Sequence, residues 1–501
     1  MFNSKLAGVL CALLAAGGVA AQTVPPFDPG SAPTEAVWNA YFTSKQDVAS
    51  SQRQAGQQFC IVGDSIAANG GTSGSSNGSG YARPGYGFTT WFTALLGEKI
   101  NLDPAYNLGV GGTYTSQITA TVPAALKLSC QWVIYQGVTN NIQYETSLSQ
   151  TETDLTSAFT QILAAGKKLI IVTPFPRNAA TITGLGVNLA YGQGFYDSVA
   201  RFERRFAQNN PGVLVFDPRS QAAIASASTG DYLTNMSPDG THQSAYGAQL
   251  VGQALVNLVS PFLGTDQGPL QTDPLDTYSA SNNVTGNMLS NGLFTTSTGG
   301  TAFSSTASQV TGIAPSAWAL SFAGAASYTG SAAISITSRS DNNPGSWLTL
   351  TISSLSGGTN HDYFYLGNGF QFSYLGVPNG TLAVGDIVDS GCEFQVSNTR
   401  GIRSIGITNY TVDGNGGGLT TQIMGATDTN GVEASGGGNY YWPTGTYNMV
   451  LRVPPYALPP ALGSGTRYIT FQPRIELDTT VSGGALATVN MGRCWIRKTN
   501  Y

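Results

Sequence analysis

The periodicity of the chain changes once, near residue 262, and that change limits what it can fold into. Before it, short apolar runs alternate with stretches of helical spacing. Phe59-Cys60-Ile61-Val62, Trp132-Val133-Ile134-Tyr135, Leu169-Ile170-Ile171-Val172 and Val213-Leu214-Val215-Phe216 read as buried strands. Helical patterns fall near 86–98, 148–165, 190–209 and 244–259. Strands apolar on both faces and separated by helices imply right-handed βαβ crossovers and a parallel sheet covered on both sides. After 262 the helical signal stops. Ala333-Ile334-Ser335-Ile336-Thr337, Trp347-Leu348-Thr349-Leu350-Thr351-Ile352 and Tyr468-Ile469-Thr470-Phe471 alternate every second residue between Gly, Asn and Ser turns. That texture predicts an antiparallel β-sandwich or jelly roll. Pro261, Pro269 and Pro274 punctuate the junction. The expected organisation is a signal peptide over 1–21, a lead-in over 22–55, an α/β domain over 56–262, a linker over 263–282 and a β-sandwich domain over 283–501.

The signal rests on Lys5, the apolar run from Leu6 to Ala16, and Val19-Ala20-Ala21 before Gln22. No other stretch is apolar enough to span a bilayer, so the expectation is a secreted protein, extracellular or periplasmic, with no membrane insertion after cleavage. Cys11 leaves with the signal. Cys60, Cys130, Cys392 and Cys494 remain, an even number that suits an oxidising compartment. One bond inside each domain is the simplest pairing, and buried free thiols are the alternative. Charged residues make up only 10% of the chain, so solubility rests on hydroxyls and amides. A net charge of −5 without any basic cluster argues against nucleic acid as a partner. Two histidines are too few for a His-built metal site, and no metal or cofactor is expected.

Parallel sheets bind ligands at the carboxyl ends of their strands. Gly63-Asp64-Ser65-Ile66 follows the first strand and puts a serine oxygen where substrate can reach it. Asn107-Leu108-Gly109-Val110-Gly111-Gly112-Thr113, read as following another strand, can aim backbone N–H groups into a cleft. The strand 132–135 runs into Gln136-Gly137-Val138-Thr139-Asn140-Asn141, where an Asn amide offers a neutral donor suited to an oxyanion. Ser237-Pro238-Asp239-Gly240-Thr241-His242 precedes the last helix, and Asp239 can orient the His242 imidazole. Each piece alone also fits an ordinary turn.

In this order, the four pieces resemble the SGNH (GDSL-type) hydrolase family, whose blocks supply Ser, Gly, Asn and His. The resemblance covers roughly residues 57–262 and implies a flavodoxin-like sheet. It also implies Ser65 as nucleophile, His242 as general base and Asp239 as orienting acid. Ser65 N–H, Gly112 N–H and the Asn140 side chain would form the oxyanion hole. The family usually carries Asp directly after that Asn, where this chain has Asn141. Gly74-Ser75-Ser76-Asn77-Gly78 also fits a nucleophile elbow, but no strand leads into it.

Tyr81 and Tyr86, in the loop after Ser65, are candidates for substrate binding as a platform for a sugar ring. Farther on, Tyr440-Tyr441-Trp442 cannot all face inward in a strand, which fits carbohydrate binding. Asp341-Asn342-Asn343 and Asp413-Gly414-Asn415 have residues that could ligate calcium, while His361 has no partner pattern. Trp38 to Asp47 is similar to segments of bacteriophage tail-associated proteins. The resulting expectation is a secreted serine ester hydrolase removing acetyl or short acyl groups from an acylated polysaccharide. A carbohydrate-binding or adhesion protein on a hydrolase scaffold, and a lipase or lysophospholipase, are the alternatives.

Overall fold

The structure, a computed structural model, describes residues 57–71, 85–263, 275–279, 281–297, 309–325, 327–359, 362–368, 372–373, 382, 385–412, 418–424, 445–458 and 468–499. The expected signal and lead-in, most of the linker, Ser76, Tyr81, His361, the Asp413 turn and Tyr440-Tyr441-Trp442 lie outside the described residues. Those described belong to one compact unit spanning 51–501.

Six strands form a wholly parallel sheet: β1 (Gln57–Gly63), β2 (Ile100–Asn101), β3 (Asn107–Gly109), β4 (Trp132–Gln136), β5 (Lys168–Val172) and β6 (Leu214–Phe216). Their order is β2-β1-β4-β5-β6, with β3 also paired to β1. The helices are α1 (Ser65–Ala68), α2 (Phe88–Leu96), α3 (Thr115–Leu126), α4 (Leu148–Ala164), α5 (Ala179–Gly184), α6 (Leu189–Asn209), α7 (Pro218–Gln221) and α8 (Ala245–Val259). Successive strand residues point to opposite faces. Phe59, Ile61, Ile134 and Ile170 therefore join Trp91 of α2 and Leu255 of α8 in one apolar layer. Cys60, Val62, Val133 and Ile171 join Ile118 of α3, Phe159 of α4 and Val199 of α6 in the other. This is the doubly covered parallel sheet that the apolar runs require.

Besides the short elements β2, α1, α5 and α7, which the sequence reading did not name, two differences from it bear on the site. Asn107–Gly109, expected to follow a strand, is itself the strand and pairs with Ile61–Gly63. Helix α3 was not expected, because its segment carries Pro123 and the β-branched residues Ile118, Thr119, Thr121 and Val122. Burial of Ile118, Val122 and Ala125 overrides that weak propensity.

Beyond residue 309 the regular elements of the described residues are all strands: β7 (Val310–Gly312), β8 (Trp318–Ala323), β9 (Thr329–Ser338), β10 (Ser346–Ser356), β11 (Asp362–Asn368), β12 (Phe372–Ser373), β13 (Ile387–Arg400), β14 (Ile402–Val412), β15 (Gly418–Met424), β16 (Tyr447–Ala457), β17 (Tyr468–Leu477) and β18 (Ala485–Thr499). One sheet runs β16-β13-β18-β10-β9-β7 and the other β15-β14-β17-β11-β8, with β12 beside β17. Pairing is antiparallel except for β7 with β9. Cys392–Cys494 joins the neighbouring strands β13 and β18, and Cys60–Cys130 joins β1 to the segment entering β4. In the Asp341 turn the carboxylate is engaged by Arg339 and by the Asn343 N–H. The Arg339 hydrogen bond holds it well below the usual carboxylate range.

The α2 side of the parallel sheet shares one continuous apolar cluster with the β half, including Leu350, Phe394 and Leu451. At the seam the Trp91 and Tyr447 rings lie 5.8 Å apart. Gly97, at φ +58°, leaves its Cβ position 3.1 Å from the Val450 side chain.

In α6, Glu203 is fully buried, and neither carboxyl oxygen has a hydrogen-bond partner among the described residues. Burial lifts its pKa well above the ordinary value. The native state thus keeps a proton that the unfolded chain releases, and stability falls as pH rises above the unfolded carboxyl range. Glu203→Met should therefore raise stability at pH 8 by about 1–3 kcal/mol, with a smaller gain at pH 4. Urea unfolding at the two pH values checks this; a variant less stable than the parent at pH 8 would refute it.

Candidate active site

The candidate residues gather at the carboxyl ends of β1, β3 and β4. Strand β1 ends at Gly63, where a Cβ would lie 2.5 Å from the Gln136 carbonyl oxygen, so only glycine fits. Asp64 then caps α1 by accepting the Ile66 N–H at 2.9 Å. Its carboxyl is fully buried, and burial raises its pKa against the pull of that N–H. Gln136 Oε1 accepts the N–H groups of Asp64 and Ala67, at 3.3 and 3.1 Å. Ser65 therefore opens the helix on a clamped turn.

Ser65 Oγ lies 2.8 Å from His242 Nε2, and His242 Nδ1 lies 2.7 Å from Asp239 Oδ2. This geometry suits the tautomer in which Nδ1–H donates to Asp239 and Nε2 accepts the serine hydroxyl. The other carboxylate oxygen of Asp239 accepts the N–H groups of Thr241 and His242, both at 2.8 Å. Partial burial would raise the Asp239 pKa, but the His242 ring bond and these two N–H groups outweigh it and hold the carboxylate well below its usual range. The loop is anchored where Asn178 N–H donates to the Gly240 carbonyl and Tyr232 OH to the Thr241 carbonyl.

Val110 N–H donates to the Gly63 carbonyl and Asn107 Nδ2 to the Ala67 carbonyl, which brings the glycine loop against α1. A Cβ on Gly111 would stand 3.9 Å from Ser65 Cβ. Gly112 sits at φ +78° with open space on its Cβ side. Neither the Ser65 nor the Gly112 N–H has a backbone partner among the described residues. Asn140 Nδ2 donates one hydrogen to the Thr113 carbonyl at 2.9 Å, leaving its second for a ligand.

The turn that carries Asn140 is strained, because Val138, a buried β-branched residue, adopts φ +80°. Sequence reading missed what restrains it. Arg177 Nη1 and Tyr196 OH both donate to the Thr139 carbonyl at 2.8 Å, from positions 38 and 57 residues away. No local motif announces such a clamp. Of the two aromatic candidates, Tyr86 is half-buried in the turn before α2, and Tyr81 is outside the described residues.

Asn141, where the family usually has Asp, is fully buried. Its Nδ2 donates to Thr115 Oγ1 and Thr151 Oγ1, both at 2.8 Å, and its Oδ1 accepts the Thr115 N–H. The Thr115 hydroxyl spends its own proton on Asp154 Oδ2. An aspartate at 141 would face the Thr115 oxygen, whose proton is already committed to Asp154, with no hydrogen of its own to offer. Asn141→Asp should therefore cost about 1–3 kcal/mol at pH 7, and less near pH 4, where a protonated carboxyl can donate. Denaturant unfolding at both pH values measures it, and unchanged stability at pH 7 would contradict this network.

No curated protein matches the chain. Among solved structures, a variant of an acetyl-xylooligosaccharide esterase from Geobacillus stearothermophilus is 16% identical, over 42% of this chain and 96% of its own, with a TM-score of 0.32. A carbohydrate acetylesterase family member from Sinorhizobium meliloti is 15% identical, over 41% and 98%, with a TM-score of 0.32. A GDSL-like lipase from Bacteroides thetaiotaomicron is 15% identical, over 45% and 98%, with a TM-score of 0.31. The model of the GDSL-like lipase/acylhydrolase family matches residues 61–250, from the middle of β1 into α8. That span takes in the serine, the glycine loop, the asparagine turn and the Asp239–His242 loop, and it is a GDSL-like lipase/acylhydrolase domain.

Proposed function

We propose that this protein is a secreted serine ester hydrolase that removes acetyl or other short acyl groups from a carbohydrate. The observation that carries the reading is the unbroken chain from Ser65 Oγ through the His242 ring to Asp239, with links of 2.8 and 2.7 Å. A serine hydroxyl is a weak nucleophile at neutral pH unless a base takes its proton as it attacks. In the proposed cycle Ser65 Oγ adds to the ester carbonyl and its proton passes to His242 Nε2. Asp239 steadies the imidazolium, and the Ser65 and Gly112 N–H groups and Asn140 Nδ2 receive the oxyanion. His242 then protonates the leaving sugar oxygen, an acyl-enzyme remains, and a water deprotonated by His242 releases the acid.

Two features support the finer parts of this reading. The His242 and Asp239 side chains are 33% and 50% exposed, an open site suited to a bulky hydrophilic substrate. Two disulfides, and the signal-like residues 1–21, agree with export to an oxidising compartment.

Ser65→Ala and His242→Ala should each lower p-nitrophenyl acetate hydrolysis by about 10⁴-fold or more, with circular dichroism unchanged. Asn140→Ala should cost about 10²–10³-fold. Asp239, held well below the usual carboxylate range, stays charged at neutral pH and keeps the imidazole oriented as it receives the serine proton. Equal activity in all variants would favour a carbohydrate-binding protein on a hydrolase scaffold. Preference for long acyl chains in an ester series would favour a lipase.

A further inference from the structure

Two tyrosines that no motif singled out stand at the rim of this site. Tyr114 caps the start of α3 directly after Thr113, whose carbonyl accepts Asn140 Nδ2. Tyr144 closes the turn after Asn140, and its N–H donates to the Asn140 carbonyl at 3.2 Å. The two ring centroids are 5.1 Å apart, with the planes inclined at 39°. The ring pairs Phe59 with Trp132 and Tyr135 with Phe159, in contrast, are buried in the core, while Tyr191 beside Phe195 is exposed but belongs to α6. Tyr144 is 51% exposed, and Val110, on the glycine loop, is 50% exposed.

Rings kept partly in water cost hydration free energy, and beside a reactive centre they mark a ligand surface. On the loop that leads into Tyr114, Gly111 and Gly112 carry no side chains that would block a flat ligand, and the Cβ position of Gly111 lies 3.9 Å from Ser65 Cβ. A pyranose ring offers a C–H face to an aromatic ring and hydroxyls at its edge, where the phenol oxygens can meet them.

We propose that Tyr114 and Tyr144 form a stacking subsite for a sugar ring of the substrate while its ester lies at Ser65. Tyr144 supplies the exposed face and Tyr114 braces it. The subsite deepens the carbohydrate esterase reading and rests on it.

The test compares vinyl acetate, which has no sugar ring to stack, with acetylated xylo-oligosaccharides and vinyl decanoate. Tyr144→Ala should raise KM for the oligosaccharides by about 3–10-fold while leaving vinyl acetate turnover unchanged. Tyr144→Phe, which keeps the ring, should retain most of the affinity, and Tyr114→Ala should fall between. Equal losses on vinyl acetate would mean that Tyr144 merely supports Asn140 and would overturn the proposal. So would an unchanged oligosaccharide KM, or a loss confined to vinyl decanoate, the signature of an acyl-chain wall. A parent enzyme that cleaves vinyl acetate but no acetylated saccharide would defeat the carbohydrate reading, and the subsite with it. A parent active on saccharides with Tyr144→Ala unaffected would defeat the subsite alone.

Discussion

The close approach of β1 to β4 at their carboxyl ends is the constraint on which the site depends. Gly63 passes so near the Gln136 backbone that a methyl group would not fit. Gly109 comes equally close to α1, its Cβ position 2.4 Å from the Ala68 nitrogen. With the backbones in contact, a single side-chain oxygen of Gln136 can accept two N–H groups of the turn. Ser65 is thus positioned by main-chain crowding and buried amide bonds, not by contacts of its own side chain. The Asn140 turn is fixed from the opposite direction, its strain carried by Arg177 and Tyr196 on one carbonyl. Both walls are referenced to the same two strands, whose register therefore sets the width between them.

Much of this was legible because it depends on local chemistry. Apolar runs such as Leu169–Val172 can only be buried on both faces, and they foretold the sheet and its two layers. Asp239 and His242 lie three residues apart in one loop, so their pairing was readable from spacing. What stayed hidden was set by distant packing. Helix α3 forms against its own propensities because Ile118 and Val122 have a core to enter. The Thr139 clamp joins residues from three separate elements, and the Tyr114–Tyr144 pair exists only once two loops are adjacent. Asn141 looked like a departure from pattern, and became intelligible when Asp154 proved to take the Thr115 proton.

The His242 loop shows how a partly exposed His–Asp pair can keep its geometry. Asp239 spends one oxygen on two backbone N–H groups of its own turn, which leaves the other free to hold only the imidazole. Hydrogen bonds of this kind are short-range and are screened little by salt, unlike a surface ion pair. The orientation of the ring is therefore built into the turn itself.

The seam at Trp91, Tyr447, Gly97 and Val450 bears on how such a chain changes over generations. A module joined only by a flexible tether can be exchanged for another without retouching its neighbour. Here the outer face of α2 is apolar because strands from the far end of the chain cover it. Any recombination that swapped the β half would bare Trp91 unless the newcomer brought a matching surface. Substitutions in one half at this seam are constrained by the shape of the other.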